Sequence, residues 1–129
     1  MTSQKFREWK PIEDVPSLLY LEAMHHDYEG LRFLLRGEDP RSRMLVIRFE
    51  SEVGYRNINE SYLIRTWAAA DWKNLPSLLQ VENSEWVRWL VEEAGGVLQE
   101  GSLTHYAIYT PEDCVDVVTM FEPVVKWLP

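Results

Sequence analysis

Apolar and polar residues alternate along much of the chain, which is the pattern of β-strands that bury one face. In the segment 43–51, Leu45, Ile47 and Phe49 share one face, and the opposite face becomes charged toward the end of the segment. The segment 31–36 precedes it across the turn sequence 37–40, which contains Gly37 and Pro40. These two segments predict a β-hairpin, and a strand at 53–58 continues it as a meander.

Further strands are predicted where β-branched and aromatic residues alternate with polar ones between turn residues. Pro11 and Pro16 indicate an irregular or partly helical arm at the start of the chain, and a strand begins near Ser17 because Pro16 favours extended geometry before it. The remaining predicted strands are 78–83, 103–110, 114–120 and 124–128.

The clearest helix follows Asn83 or Ser84, either of which can cap its first turn. Trp86, Trp89, Leu90 and Ala94 recur at helical spacing, and Gly95-Gly96 is a specific stop signal because glycine adopts the left-handed conformation freely. The two tryptophans are predicted to form the core face, with an exposed Trp89 that contacts a partner as the alternative. A shorter helix is predicted within 62–72, capped by Asn59 or Ser61.

Together these elements predict an α+β fold, in which one long and one short helix pack on an antiparallel sheet of about six strands. The 129 residues suit a single domain, 1–129, with one core.

No apolar stretch reaches the roughly 20 residues of a membrane helix, and no apolar run follows the charged start, so we expect a cytoplasmic protein. A single cysteine, Cys114, fits a reducing compartment.

The net charge of −8 is uneven along the chain. Residues 1–88 carry fourteen acidic and twelve basic side chains, whereas residues 89–129 carry seven acidic side chains against one basic side chain, Lys126. An acidic field repels nucleic-acid phosphates and attracts a basic protein. The alternative is that this charge serves solubility alone.

Candidate catalytic and metal-binding residues are few. Acidic neighbours of Cys114 raise the pKa of a thiol, which opposes its activation. His105 and Asp116 could act as base and orienter for Cys114, but a hairpin would put His105 at the far end from Cys114. His25 and His26 point to opposite faces of a strand, so they cannot easily share a metal. We therefore expect neither enzyme activity nor a cofactor or metal site.

Several stretches together resemble the immunity proteins encoded beside bacterial polymorphic toxins, including those of contact-dependent growth inhibition. The resemblance covers residues 30–128 and is carried by RFES, YRNINES, RTW, VENSEWVRWL, HYAIYTPEDCVDVV and VVKWL. It implies a protein that binds the C-terminal toxin domain of a cognate effector and blocks its active site. Many such toxins are nucleases with basic clefts, which an acidic surface can occupy as a phosphate mimic.

The residues expected to contact this partner are the acidic side chains of the C-terminal third. They form two groups, one around a turn and one beyond the long helix: Glu112, Asp113 and Asp116, and Glu92, Glu93 and Glu100. We expect no binding to nucleic acid or membrane. Two alternatives stay open, a scaffold subunit of another complex and a small-molecule-binding domain whose pocket joins distant residues.

Overall fold

The computed structural model of the chain describes residues 4–129, which form nine strands in two antiparallel sheets. The five-stranded sheet has the spatial order β1 (Lys5–Glu8), β6 (Leu78–Glu82), β7 (Thr104–Tyr109), β8 (Asp113–Thr119) and β5 (Glu52–Asn59). The four-stranded sheet has the order β2 (Tyr20–Asp27), β3 (Gly30–Arg36), β4 (Leu45–Phe49) and β9 (Val124–Trp127). All neighbouring strands in both sheets run antiparallel.

The two sheets pack face to face, and the main core lies between them. Alternate residues of β3 and β4 meet alternate residues of β7 and β8 in one buried cluster. Phe49 marks this junction, because its ring lies 6.1 Å from that of Phe33 on its own sheet and 5.7 Å from that of Tyr106 on the opposite sheet. The apolar faces that alternation gives these strands therefore pack against each other and hold the two sheets together.

Helices cover the outer face of the five-stranded sheet. α1 (Ile64–Ala68) is short, and α2 (Glu85–Glu93) begins at Ser84, whose side chain accepts a hydrogen bond from the amide of Val87. After α2, Gly95 and Gly96 adopt positive φ angles of 59° and 98° and end the helix. The predicted cap and stop signals of the long helix are both confirmed.

A second, smaller apolar cluster lies on this outer face. Leu79, Val81 and Ala107 are buried there beneath Phe6, Trp72 and neighbouring side chains. The ring of Trp72 contacts those of Phe6, Trp67 and Tyr109, at centroid distances of 4.7, 4.8 and 5.7 Å. Much of the large aromatic content of the chain therefore covers one sheet rather than filling the space between the two.

The predicted α+β class with antiparallel pairing is confirmed, but the architecture differs in detail. The described residues, 4–129, form nine strands in two sheets rather than about six in one. The 53–58 strand does not continue the meander: after β4 the chain crosses over, and β5 pairs with β8 in the opposite sheet. The opening arm is also not merely irregular or helical, since β1 pairs with β6 at the sheet edge. Within residues 4–129, no helix is long and apolar enough to cross a membrane.

The apolar stripe of α2 is only partly as predicted. Val87 is its buried residue, and Trp86 is half-buried against the ring of His105 at 5.6 Å. Trp89, in contrast, is 54% exposed. The prediction that both tryptophans form the core face is therefore wrong for Trp89, because Val87 is the buried residue and Trp89, two positions later, lies on the far side of the helix from it.

Candidate functional site

The predicted partner-binding residues of the first group lie on one hairpin but not on one surface. Glu112 is exposed and Asp113 half-buried, both in the tight turn between β7 and β8. Asp116 lies three residues into β8, and its side chain is 2% exposed. Only the first two carboxylates are therefore placed to meet another molecule.

The β7–β8 turn holds Glu112 in an unfavourable backbone conformation. Its φ angle is 75°, in the left-handed region where a side chain clashes with the backbone. The turn is closed by the amide of Thr110, which donates to the carbonyl oxygen of Asp113 at 2.9 Å, with Pro111 at its first corner. Glycine or asparagine is usual at the second corner of such a turn, so a glutamate there costs stability.

A third carboxylate joins this turn from β5. Asn59, at the end of β5, is paired with Asp113 and caps the 3-10 turn Glu60–Tyr62. The amide of Glu60 donates to the carbonyl oxygen of Glu112 at 3.1 Å. Glu60, Glu112 and Asp113 thus form a compact group at one end of the five-stranded sheet, and we call this group the acidic tip.

Two large apolar side chains beside the acidic tip are exposed to solvent. Tyr62 is 79% exposed and Ile64 is 74% exposed. Tyr62 lies at the end of the 3-10 turn that begins at Glu60, and Ile64 begins α1. Tyr28 and Val97, at 97% and 85%, are more exposed still, but Tyr62 and Ile64 are two apolar side chains close together in the chain beside three carboxylates.

A groove of about 390 Å³ borders the acidic tip. Glu60 and the aromatic side chains Trp67, Trp72 and Tyr109 line part of it, and Lys73 lies at its edge. The indole of Trp67 donates to the carbonyl oxygen of Glu60 at 2.7 Å, which ties the groove wall to the tip. Sequence reasoning missed the groove because its walls come from segments as far apart in the chain as 17–18 and 109–111.

The second predicted group lies elsewhere on the molecule. Glu92 and Glu93 are exposed at the end of α2, and Glu100 is exposed in the 3-10 turn Glu100–Ser102, which precedes the start of β7. The acidic tip follows the other end of β7, about 17 Å away by strand geometry. The carboxylates of the C-terminal third therefore do not form one continuous negative face.

Asp116 is the centre of a buried hydrogen-bond network. One carboxylate oxygen accepts from the Nε2 of His105 at 2.7 Å and from the hydroxyl of Tyr109 at 2.8 Å, and the other accepts from the Nε of Arg56 at 3.1 Å. Burial, and then the negative charge of Asp116, raise the pKa of the Tyr109 phenol, so this hydroxyl stays a donor. The prediction of a docking role for Asp116 is inconsistent with this position, because its oxygens are already used.

The network continues from His105 to the helix cap. Ser84 Oγ lies 2.7 Å from Nδ1 of His105, so Ser84, His105 and Asp116 form a chain with the residue types of a hydrolytic triad. The same Oγ accepts the amide of Val87 as the N-cap of α2, and Ser84 is buried. We assign the chain a structural role, in which it fastens α2 to the sheet beneath it.

Cys114 does not take part in this network. The register of β7 and β8 pairs it with Tyr109 and pairs His105 with Val118, as expected for opposite ends of a hairpin. Cys114 is buried, and burial together with the nearby carboxylates raises the pKa of its thiol to about 12. The structure therefore buries this thiol away from His105, whose two ring nitrogens contact Asp116 and Ser84.

The two adjacent histidines point in different directions. His26 bridges the sheets, since its Nδ1 lies 3.1 Å from the hydroxyl of Tyr55 and its Nε2 lies 2.9 Å from a carboxylate oxygen of Glu52. His25 is opposite Arg32 on the other face of β2. Among residues 4–129, no three His, Cys, Asp or Glu side chains are grouped so as to hold a metal ion.

Comparisons of the chain with models of protein families, with curated proteins and with solved structures find no match.

Proposed function

We propose that the protein is an immunity protein, which binds a cognate toxin domain and blocks its active site with the acidic tip. The single observation that carries this proposal is the exposed pair Tyr62 and Ile64 beside the three carboxylates of the tip. The resemblance of residues 30–128 to immunity proteins supplies the class of partner.

The composition of this surface suits a basic cleft. Carboxylates at the rim of an interface speed association with a cationic partner and fix its orientation. Aromatic and large aliphatic side chains at the centre supply most of the binding energy when they are fully desolvated. Tyr62 and Ile64 can act as this centre, and Glu60, Glu112 and Asp113 as the rim.

The strained backbone of Glu112 also supports a binding role. A left-handed conformation costs a residue with a side chain about 1–2 kcal/mol, whereas glycine adopts it freely. Strain of this kind is found most often at functional sites, where the side chain is needed in spite of the cost. The carboxylate of Glu112 is exposed and lies at the outermost point of the hairpin.

The proposal is tested by reversing charge at the tip. We expect that the triple variant Glu60→Lys, Glu112→Lys and Asp113→Lys associates with its cognate toxin domain, to be sought among the genes beside its own, at least about tenfold more slowly. The matched control, Glu92→Lys, Glu93→Lys and Glu100→Lys, changes the total charge equally at the other acidic group and should retain most of the rate. Stopped-flow or surface-based association kinetics at about 150 mM salt provide the measurement.

Two results would count against this function. If the unaltered protein forms no complex with that toxin domain and gives no protection on co-expression, the immunity role is lost, and the scaffold alternative becomes the better interpretation. If both triple variants slow association equally, total charge rather than the acidic tip directs the partner.

Glycine at position 112 separates stability from binding. We expect Glu112→Gly to raise the free energy of unfolding by about 0.5–1 kcal/mol, because it removes the strain, and to weaken toxin binding, because it removes a carboxylate. Asp14→Gly is the control: Asp14 also has a positive φ, 65°, but lies outside the tip, so toxin binding should not change. Urea unfolding and binding titrations measure the two effects. Unaltered binding by Glu112→Gly would remove Glu112 from the interface.

The residue types of the Ser84, His105 and Asp116 chain raise one competing function, that of a serine hydrolase, although Ser84 meets Nδ1 and Asp116 meets Nε2 of His105, the reverse of a catalytic triad. We expect the folded protein to remain unlabelled by a fluorophosphonate probe, because the hydroxyl of Ser84 is buried and caps α2. Intact-mass spectrometry after incubation makes the measurement, with Ser84→Ala as the blank. An adduct that is absent from Ser84→Ala would establish an activated serine and contradict the structural role.

A further inference from the structure

Each sheet ends in two edge strands, and β5 is the edge strand with the longest uninterrupted pairing. The edges are β1 and β5 in one sheet and β2 and β9 in the other. The pairing of β5 with β8 is continuous from Gly54 to Asn59, which is longer than that of any other edge strand within residues 4–129. The free side of such a strand offers a row of backbone donors and acceptors to another strand.

The register between β5 and β8 shows which backbone groups of β5 are free. In an antiparallel pair, residues that exchange hydrogen bonds alternate with residues that do not. The amide of Glu60, which directly follows β5, donates to the carbonyl oxygen of Glu112, so the even-numbered residues from 54 onward bond to β8. The odd-numbered residues direct their amide and carbonyl groups to the open side of the sheet: Tyr55, Asn57 and Asn59.

The other three edges carry features that hinder pairing with another chain. β1 is four residues long, and three of its residues are charged. β9 is also four residues long, contains Lys126 and directly follows Pro123. A bulge interrupts β2 between Leu21 and Ala23. Short length, edge charges, prolines and bulges are the usual means by which proteins keep sheet edges from associating.

The regular part of β5 has none of these protective features. The segment 54–59 contains no lysine, proline or bulge, and its one charged residue is Arg56. The Nε of Arg56 donates to Asp116 at 3.1 Å, and its guanidinium lies 4.5 Å from the ring centroid of Trp86. These contacts hold the arginine over the outer face of its own sheet rather than across the edge. One unprotected edge among four therefore indicates a strand that pairs.

The charges beside this edge favour an uncharged partner strand. The side chain of Arg56 is 43% exposed within the strand, and Glu60 follows the end of the strand. A basic strand would be repelled by Arg56, and an acidic strand would be repelled by Glu60. The segment 54–59 is itself uncharged apart from the paired Arg56, so a second copy of β5 meets this requirement.

Two copies of β5 also match in register. A two-fold axis at Asn57 places Asn57 opposite its own copy and Tyr55 opposite Asn59 of the second copy, so free backbone groups meet free backbone groups. About six backbone hydrogen bonds would join the strands, and the facing asparagine amides can both donate and accept. The same register sets Arg56 opposite Ile58 of the second copy, so the two arginines are not directly opposed.

We propose that the protein forms a two-fold symmetric dimer in which the β5 strands of two copies pair antiparallel around Asn57. The two five-stranded sheets then continue into each other across the axis. The dimer goes beyond the immunity role and does not depend on it.

Sedimentation velocity of the full chain from about 1 to 500 µM tests the dimer, with an expected dissociation constant of about 100 µM or lower. Asn57→Pro should weaken association at least about tenfold, because proline removes an edge amide that β8 does not use. Asn57→Ala is the matched control. It removes the same side chain, with its hydrogen bond to Asp113, but keeps the amide, and it should associate within about threefold of the unaltered protein.

Asn57→Lys disrupts the same contact without a change in the backbone. Asn57 is exposed, so a lysine should be tolerated in the folded chain, as circular dichroism can check for every variant. In the dimer the two lysines would lie opposite each other at the axis, and association should weaken at least about tenfold.

Hydrogen exchange locates the contact. The amides of Tyr55 and Asn57 should exchange more slowly at high than at low protein concentration, whereas the amides of β1 should not change. The proposal is overturned if the chain stays monomeric at about 500 µM, or if protection on association appears at another edge. It is also overturned if Asn57→Pro and Asn57→Lys associate as well as Asn57→Ala.

Discussion

Replacing Asp116 with Ala is expected to lower the free energy of unfolding by about 3 kcal/mol or more. The substitution leaves His105 and Tyr109 without their buried acceptor and Arg56 without its ion-pair partner. A buried donor that loses its acceptor keeps the full cost of desolvation. The fastening of α2 through Ser84 should also loosen, because His105 is then held at one nitrogen only.

Urea unfolding followed by circular dichroism measures this loss. Asp113→Ala removes the same chemical group from the same strand at a half-buried position, where it accepts one solvent-exposed hydrogen bond from Asn57, and should change the free energy of unfolding by less than about 1 kcal/mol. Asp116→Asn keeps the shape and one acceptor oxygen, so it should fall between the two. An Asp116→Ala variant as stable as Asp113→Ala would show that the network does not hold the helix layer in place.

Truncation of Phe49 to Ala should cost about 3–5 kcal/mol, the usual penalty for removing a buried aromatic side chain. Phe49 is 1% exposed and contacts Phe33 on one sheet and Tyr106 on the other, so the cavity would separate the sheets at their junction. Domains of this size are commonly stable by only about 5–15 kcal/mol, so the variant should unfold at much lower urea concentration.

The same variant tests whether the two sheets unfold together. The Trp127→Phe form of the variant leaves no tryptophan on the four-stranded sheet, so its fluorescence reports on the remaining tryptophans, such as Trp67 and Trp72, whereas circular dichroism reports on all strands. Coincident transitions are expected because the sheets share one core. Phe49→Leu is the milder control, with an expected loss of roughly 1 kcal/mol. Separate transitions would indicate that the sheets are independent units.

Local features of this fold could be predicted from the sequence because they depend on neighbours in the chain. The β3–β4 hairpin follows from alternation on either side of a Gly- and Pro-containing turn, and α2 follows from Ser84 and Gly95-Gly96. The pairing of β7 with β8 follows from a short turn at Pro111. Each of these signals has a physical cause that acts over a few residues.

The division into two sheets could not be predicted in this way. The alternation of β5 is compatible with pairing to β4, its neighbour in sequence, and to β8, some sixty residues away. Only the packing of the whole core selects the pairing of β5 with β8. The buried position of Asp116 could not be predicted for the same reason, since its contact with Arg56 also spans 60 residues. The sequence therefore suggested a surface carboxylate where the structure has a buried one.

The candidate site was predicted in part. Glu112 and Asp113 were recognised from the acidic turn, but Glu60 joins them only because β5 ends beside that turn. The exposure of Tyr62 and Ile64 could not be predicted, because the apolar residues of a helical segment normally face the core. The positive φ angle of Glu112 could not be predicted either, because glycine is the usual residue at such a position and the sequence has glutamate there.

The position of β9 has a consequence for synthesis in the cell. It is the last strand to leave the ribosome among those described, yet it completes the four-stranded sheet by pairing with β4. Until then the free edge of β4 can pair with other chains, as unpaired edges tend to do. We infer that stalled or truncated chains ending before Val124 would tend to aggregate rather than fold into a partly working protein.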